Sequence, residues 1–313
     1  MEPTKFQPRR ARGILLSFIC LTILGTMPIL SNGRAPGMDA LSFAFFLSVW
    51  QLLFALPLFV WELIYTAGGL FSPALEPSRR TRTFAILGVT GTMFGISTFV
   101  YVLAMEKAGA ASAAIALQAY PVFAIAWEWL FLGRRKRRWE LLFTATLIGS
   151  LFYLGTEGTW RVDGISLWIV LALAVPFLWS VAHVVLKEVL VSTPITPAQV
   201  CFFRVLVSTL LLGGVLVAVA GPDAILDDLT NPLFQLSSAA MGFAYYMELI
   251  AWFFAVRHID VSLASSITIP WPALTMVLAI LFLGDSIATY QVTAFAVVAI
   301  SVYGLLIAGR TPK

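Results

Sequence analysis

Apolar residues along this chain come in ten runs of about twenty, separated by short polar stretches. The runs occupy approximately 13–32, 40–66, 83–104, 110–132, 139–156, 164–186, 196–220, 234–256, 261–283 and 288–308. A helix needs about 20 apolar residues to cross the hydrocarbon of a bilayer. The pattern therefore predicts an all-α membrane protein with ten transmembrane helices. The longest polar interruption, "AGGLFSPALEPSRRTR" (67–82), is rich in Pro and Gly and reads as a linker. The first run follows a basic flank, but its length and the lack of a small-x-small cleavage site predict a retained helix rather than a removed signal peptide.

Composition agrees with burial in lipid. Apolar residues make up 60% of the chain and charged residues 12%, against roughly a half and a quarter in soluble domains. Cys20 and Cys201 both lie inside apolar runs, which leaves neither a disulfide framework nor metal-ligand spacing. No cofactor or metal is called for.

The net charge of +4 changes the picture only through its distribution. With the N-terminus inside, cytoplasmic segments hold Lys5, Arg9, Arg10, Arg12, Arg79, Arg80, Arg82, Arg134, Arg135, Lys136, Arg137, Arg138, Lys187, Arg257, Arg310 and Lys313. Outer loops hold Arg34, Lys107 and Arg161, beside Asp39, Glu106, Glu157, Asp163, Asp223, Asp227, Asp228 and Asp285. The positive-inside rule then predicts that both termini are cytoplasmic. The charge is a topology signal, and no nucleic-acid partner is invoked.

Sliding the chain against itself by 151 residues places "LFLG" 130–133 on "LFLG" 281–284, Tyr120-Pro121 on Trp271-Pro272, Ala104 on Ala255 and Gly13 on Gly164. The halves, 13–156 and 164–309, read as copies of five helices each. Five crossings is an odd number, so the second copy enters the membrane upside down, giving two inverted five-helix repeats. Pro121 and Pro272 fall at matched positions near the bilayer midplane. A proline there frees backbone that only neighbouring helices or a wet cavity can satisfy. The matched pair predicts a cavity lining, with simple kinks as the alternative; Pro28 and Pro176 fit the same picture less closely.

The segments "ASAAIALQAYPVFAIAWEWLFLG" and "VSLASSITIPWPALTMVLAILFLG", each followed by one more apolar helix, resemble the EamA-domain branch of the drug/metabolite transporter superfamily over nearly the whole chain. That resemblance implies a basket-like bundle whose central cavity is lined mainly by helices one, three, four, six, eight and nine. It implies a multi-pass transporter of the bacterial inner membrane, exporting amino acids or related small metabolites, aromatic or cationic. Its partners would be the lipid bilayer and a small-molecule substrate, with protons a candidate coupling ion and a monomer or weak homodimer as the assembly. "MGFAYYMEL" (241–249) and "PFLWSVA" (176–182) faintly resemble the aromatic amino acid exporters. In one respect the chain departs from the family: Phe202-Phe203-Arg204 keeps a recurrent arginine that the first half has replaced, reading "FFLS" at 45–48.

Charges inside membrane helices cost about 2.5–3.5 kcal/mol or more and persist for a partner or a function. Glu128, Arg204 and Glu248 are the candidates, each some five to nine residues from its cytoplasmic end. Two readings are open. Arg204 pairs with one glutamate as a clamp or reaches to the interface, or else one carboxylate, Glu248, is free to take a proton or a cationic amine. Tyr245, Glu248 and Trp252 recur on one helical stripe, and Gln118, Pro121 and Glu128 share an arc. Tyr120, Trp179 and Trp271 sit near mid-membrane as packing or cavity walls. His183 reads as an interfacial hydrogen-bonding group, Trp127 and Trp129 as belt anchors, and Gly91 and Gly95 as an internal packing face.

Other classes stay in view. An uptake carrier for a vitamin or quaternary amine would use the same cavity. A membrane-embedded enzyme needs a nucleophile–base pair or a metal cluster, and no HExxH, GxSxG, P-loop or paired-cysteine motif occurs.

Overall fold

Helix formation is forced wherever this chain meets lipid, because each backbone N–H must find a carbonyl within its own segment. The computed structural model describes residues 10–34, 37–65, 69–72, 75–120, 122–123, 126–127, 130, 137–161, 165–259, 264 and 267–310. They form α1 (Arg10–Asn32), α2 (Ala40–Tyr65), α3 (Pro77–Ala108), α4 (Ala110–Leu117), α5 (Arg138–Gly155), α6 (Leu167–Ser192), α7 (Pro197–Ala220), α8 (Pro222–Thr230), α9 (Pro232–His258), α10 (Trp271–Leu278) and α11 (Thr289–Arg310). A π-helical turn, Ala279–Leu283, continues α10. The protein is thus all-α, with no strand among the described residues. α1, α2, α3, α6 and α7 each contain a stretch long and apolar enough to cross a membrane; Trp271–Leu283 and Thr289–Leu305 are shorter apolar helices. Leu15, Phe18, Leu53, Val89, Leu210 and Phe282 point outward and exposed, an arrangement suited to lipid and costly in water.

Most boundaries lie within three residues of the expected ones, but α4 ends at Leu117 within the expected run 110–132, α10 begins only at Trp271 within the expected run 261–283, and three further differences stand out. α3 begins at Pro77, not near 83, because proline at the first helical position starts a helix with no loss of hydrogen bonding. Arg79, Arg80 and Arg82 therefore stand on a helix, and the linker is shorter than expected. α6 runs on to Ser192. The acidic stretch Asp223–Asp228, expected as a loop, folds as the nine-residue α8. Gly221 links α7 to α8 as Gly109 links α3 to α4. Each is a single residue, at φ 81° and 80°, a region open to glycine without strain.

Packing repeats itself across the two halves. α1 lies on α9 as α6 lies on α3, and α2 lies on α9 as α7 lies on α3. α2 meets α7, and α5 meets α11, each helix facing its own counterpart. Such a pattern is that of a two-fold axis through the bundle. Helix ends agree with alternating directions. The start of α1 abuts the end of α9, where Gly13 lies under Ile259, and the ends of α1 and α3 are joined by Arg34 and Glu106. There Arg34 also donates to the Ser31 carbonyl (2.7 Å) and lies 5.3 Å over Phe43, while Lys107 sits 2.5 Å from Glu106. Burial lowers the Arg34 pKa, and the nearby Glu106 works against that shift.

Gly91 and Gly95 do pack inside the molecule. A Cβ on Gly91 would stand 2.7 Å from Val207 Cβ and 3.0 Å from the Arg204 carbonyl, and Ser208 donates to the Gly91 carbonyl at 2.7 Å. On the other side of the axis, a Cβ on Gly242 would stand 2.6 Å from the Leu47 carbonyl. Gly242 is Gly91 shifted by 151, so Leu47 occupies the place of Arg204. Gly91→Ala is expected to destabilise the purified protein by about 1–3 kcal/mol through overpacking. Gly88→Ala, where nothing lies within 4 Å, is expected to be harmless. Equal melting temperatures for the two variants would refute this packing account.

Candidate functional site

Two helices break at matched places. α4 ends at Leu117 and gives way to a turn at Gln118–Ala119, while the segment leading into α10 turns at Ile269–Pro270. These turns are 151 residues apart. Both are held by short-range bonds, Gln118 N–H to the Ile115 carbonyl (3.0 Å) and Ala273 N–H to the Pro270 carbonyl (3.0 Å). Proline chemistry accounts for the location: Pro121 and Pro272 have no N–H to offer the carbonyls of Leu117 and Thr268. Pro28, Pro57 and Pro176, by contrast, sit within unbroken helices.

At these turns lies a cavity of about 160 Å³. Leu117, Gln118 and Tyr120 line it from the first half, and their repeat mates Thr268, Ile269 and Trp271 line it from the second. Phe94 and its mate Tyr245 face it too. Matched residues on both sides place the cavity on the pseudo-two-fold axis. Trp179 and His183 of α6, Arg204 of α7, Glu248, Leu249 and Trp252 of α9, Leu24 of α1 and Val302 of α11 complete the lining. The helices expected to line it do so, joined by α7 and by α11, which had not been expected.

The structure brings Gln118, Tyr120, Trp179, Arg204, Tyr245, Glu248, Trp252 and Trp271 to this one cavity. Pro272 is buried beside the lining and not on it. Pro121, Glu128 and Trp129 lie outside the described residues. Trp179 is fixed by its indole N–H, which donates to Ser97 Oγ at 3.1 Å, and its ring stacks 6.4 Å from Tyr101. The Tyr245 ring also lies 6.1 Å from Tyr101.

Three expectations need correction. Arg204 and Glu248 form no ion pair, although both face the cavity; the ion pairs among the described residues are those of Glu106. Nor does Arg204 reach the interface. It is 2% exposed, with its guanidinium carbon 3.8 Å from the centre of the Phe94 ring and no hydrogen-bond partner for Nε or Nη1. Sequence spacing shows which residues share a face but not the rotamer that stacks Arg204 on an aromatic ring. His183, placed at the interface by its nearness to Lys187, instead lines the cavity, because α6 continues past it for two more turns. Its ring lies 5.5 Å from Phe94 and 6.0 Å from Tyr120. Trp127 is tied inward, its indole N–H donating to Ser180 Oγ at 3.1 Å beside Phe177, so a belt position does not describe it.

Phe94, His183 and Thr268 were not selected by sequence reasoning. Signals for them existed: Phe94 and Tyr245 are repeat mates, as are Leu117 and Thr268, and His183 stands one turn from Trp179 on the same helical face.

A model of the EamA-like transporter family matches the chain twice, over residues 11–156 and 166–307. Among solved structures, one whose title reads only "Crystal structure of protein" superposes with a TM-score of 0.62 at 16% identity, over 97% of this chain and 100% of that one. That likeness speaks for the fold alone. No protein of curated function matches the chain in sequence.

Proposed function

Because this chain belongs to the EamA-like transporter family, a membrane transporter family, we propose that it is a secondary transporter exporting amino acids or related small metabolites by alternating access. The observation that carries this reading is the cavity on the pseudo-two-fold axis. An inverted pair of repeats exchanges conformations by swapping roles about its axis, so a site lined by matched residues of both repeats is reachable from either side in turn. Interrupted helices at 118–119 and 269–270 supply the polar backbone such a site uses.

The lining suits a cationic or aromatic amine. Glu248 offers a carboxylate with no ion-pair partner among the described residues, and Tyr120, Trp179, Tyr245, Trp252 and Trp271 surround the cavity. Aromatic faces around a cation contribute about 0.5–2 kcal/mol. The same composition supports the second reading, uptake of a quaternary amine or a vitamin. Solute counterflow in liposomes loaded with amino acids, aromatic amines or quaternary ammonium compounds separates these readings. Recovery of chemically altered solute would instead favour an enzyme, and no uptake of any class would sink the proposal.

Placement in a bacterial inner membrane rests on the family resemblance, and the basic asymmetry supports both termini being cytoplasmic. Reporter fusions at Lys313 and within 134–138 are expected to report the cytoplasm, and a fusion at Asp227 in α8 the outside. An externally accessible Lys313 would overturn this orientation.

A further inference from the structure

Three buried nitrogens converge around the Phe94 ring without partners: Arg204 Nε, Arg204 Nη1 and His183 Nε2. All three residues line the cavity. We infer that Arg204 and His183 form an anion-binding corner that takes the carboxylate of the transported solute. This rests on the transport reading above and deepens it, since it makes the ligand one that must carry an acid group.

The geometry supports that assignment in three ways. A guanidinium holds its N–H groups in its own plane, so stacking on Phe94 at 3.8 Å leaves them presented edgewise. The His183 ring lies 5.5 Å from the same Phe94 ring and, with its proton on Nε2, adds a donor. Second, the fold does not require an arginine here. Leu47 holds the matched position across the axis, fully buried and with the same close approach of a glycine to its carbonyl. An unpaired buried arginine is costly, and its presence on one side alone is best explained by a ligand. Third, Glu248 does not neutralise it by an ion pair. An anion corner at Arg204 and a carboxylate at Glu248, on one aromatic-walled cavity, match the two charges of a zwitterion.

The test compares phenylalanine, phenylalaninamide, 3-phenylpropionate and phenethylamine as probes of the purified protein in detergent, read by thermal shift and tryptophan quenching. Phenylalanine is expected to bind about tenfold or more tighter than its amide, from a charge-assisted contact that the amide lacks. In Arg204→Gln, phenylalanine affinity should fall to that of the amide while the amide is unchanged. Arg204→Lys should keep part of the preference, because a point charge replaces a fork. The wild-type comparison stands even if a variant fails to fold. Equal binding of acid and amide, no binding of any of the four, or an unaltered preference in a folded Arg204→Gln protein overturns the inference. Counterflow of amines without acid preference would sink the anion corner and leave the transporter reading intact. Acid-selective binding with no counterflow in liposomes would do the reverse.

Discussion

Glu248→Gln is expected to insert and fold like the unaltered protein and to lose binding of amines by about 10- to 100-fold, the loss of a charge-assisted hydrogen bond of about 1.5–3 kcal/mol. The sign follows from the cavity. A carboxylate that held Arg204 in a buried pair would, when neutralised, leave an unpaired charge, and breaking such pairs costs about 3–5 kcal/mol of stability. No such pair exists, so glutamine relieves desolvation without orphaning a partner. The backbone carbonyl of Glu248 that receives Cys20 Sγ at 3.5 Å is untouched by the change. Tyr245→Leu and Trp252→Leu should weaken cationic ligands more than neutral aliphatic ones. The check is affinity and melting temperature on one purified variant: a large drop in stability returns Glu248 to a structural role, and unchanged amine binding removes α9 from the site.

Much of this site could be read from sequence, for reasons that belong to the membrane. Lipid forces helices of a standard length, which made the ten runs visible, and it penalises charge, which singled out Arg204 and Glu248 among many residues. Helical spacing joined Tyr245 and Trp252 to Glu248. The repeat supplied the rest, since Tyr120 and Trp271 gain meaning only as a pair. Leu24, Leu117, Ile269 and Val302 were invisible for a physical reason: an apolar residue facing a cavity, a neighbouring helix or lipid has the same hydropathy. α8 was missed because its nine residues are short and acidic, so neither hydropathy nor length marks it as a helix.

Pro121→Ala and Pro272→Ala should each give inserted, folded protein with transport impaired by tenfold or more, about 1.4 kcal/mol of barrier, and the double variant should lose it. Alanine restores an N–H at each position, which can then bond the carbonyl of Leu117 or Thr268 and extend helix through the turn at 118–119; in the turn at 269–270 Pro270 still lacks an N–H, so Pro272→Ala straightens that turn only in part. Helix propensity favours that by about 3 kcal/mol per replaced proline in a helix interior. Straightening moves the residues that precede each proline, and these are the lining residues Gln118, Tyr120, Ile269 and Trp271. Stability should therefore rise or hold while transport falls, a combination that a merely destabilising substitution does not produce. Pro176→Ala in α6 is the internal control, because α6 is already continuous through Pro176 and has no turn to lose. It should transport within a few-fold of the unaltered protein. If Pro121→Ala and Pro272→Ala behave like Pro176→Ala, the broken helices are kinks of packing, and the matched turns do not shape the transport path.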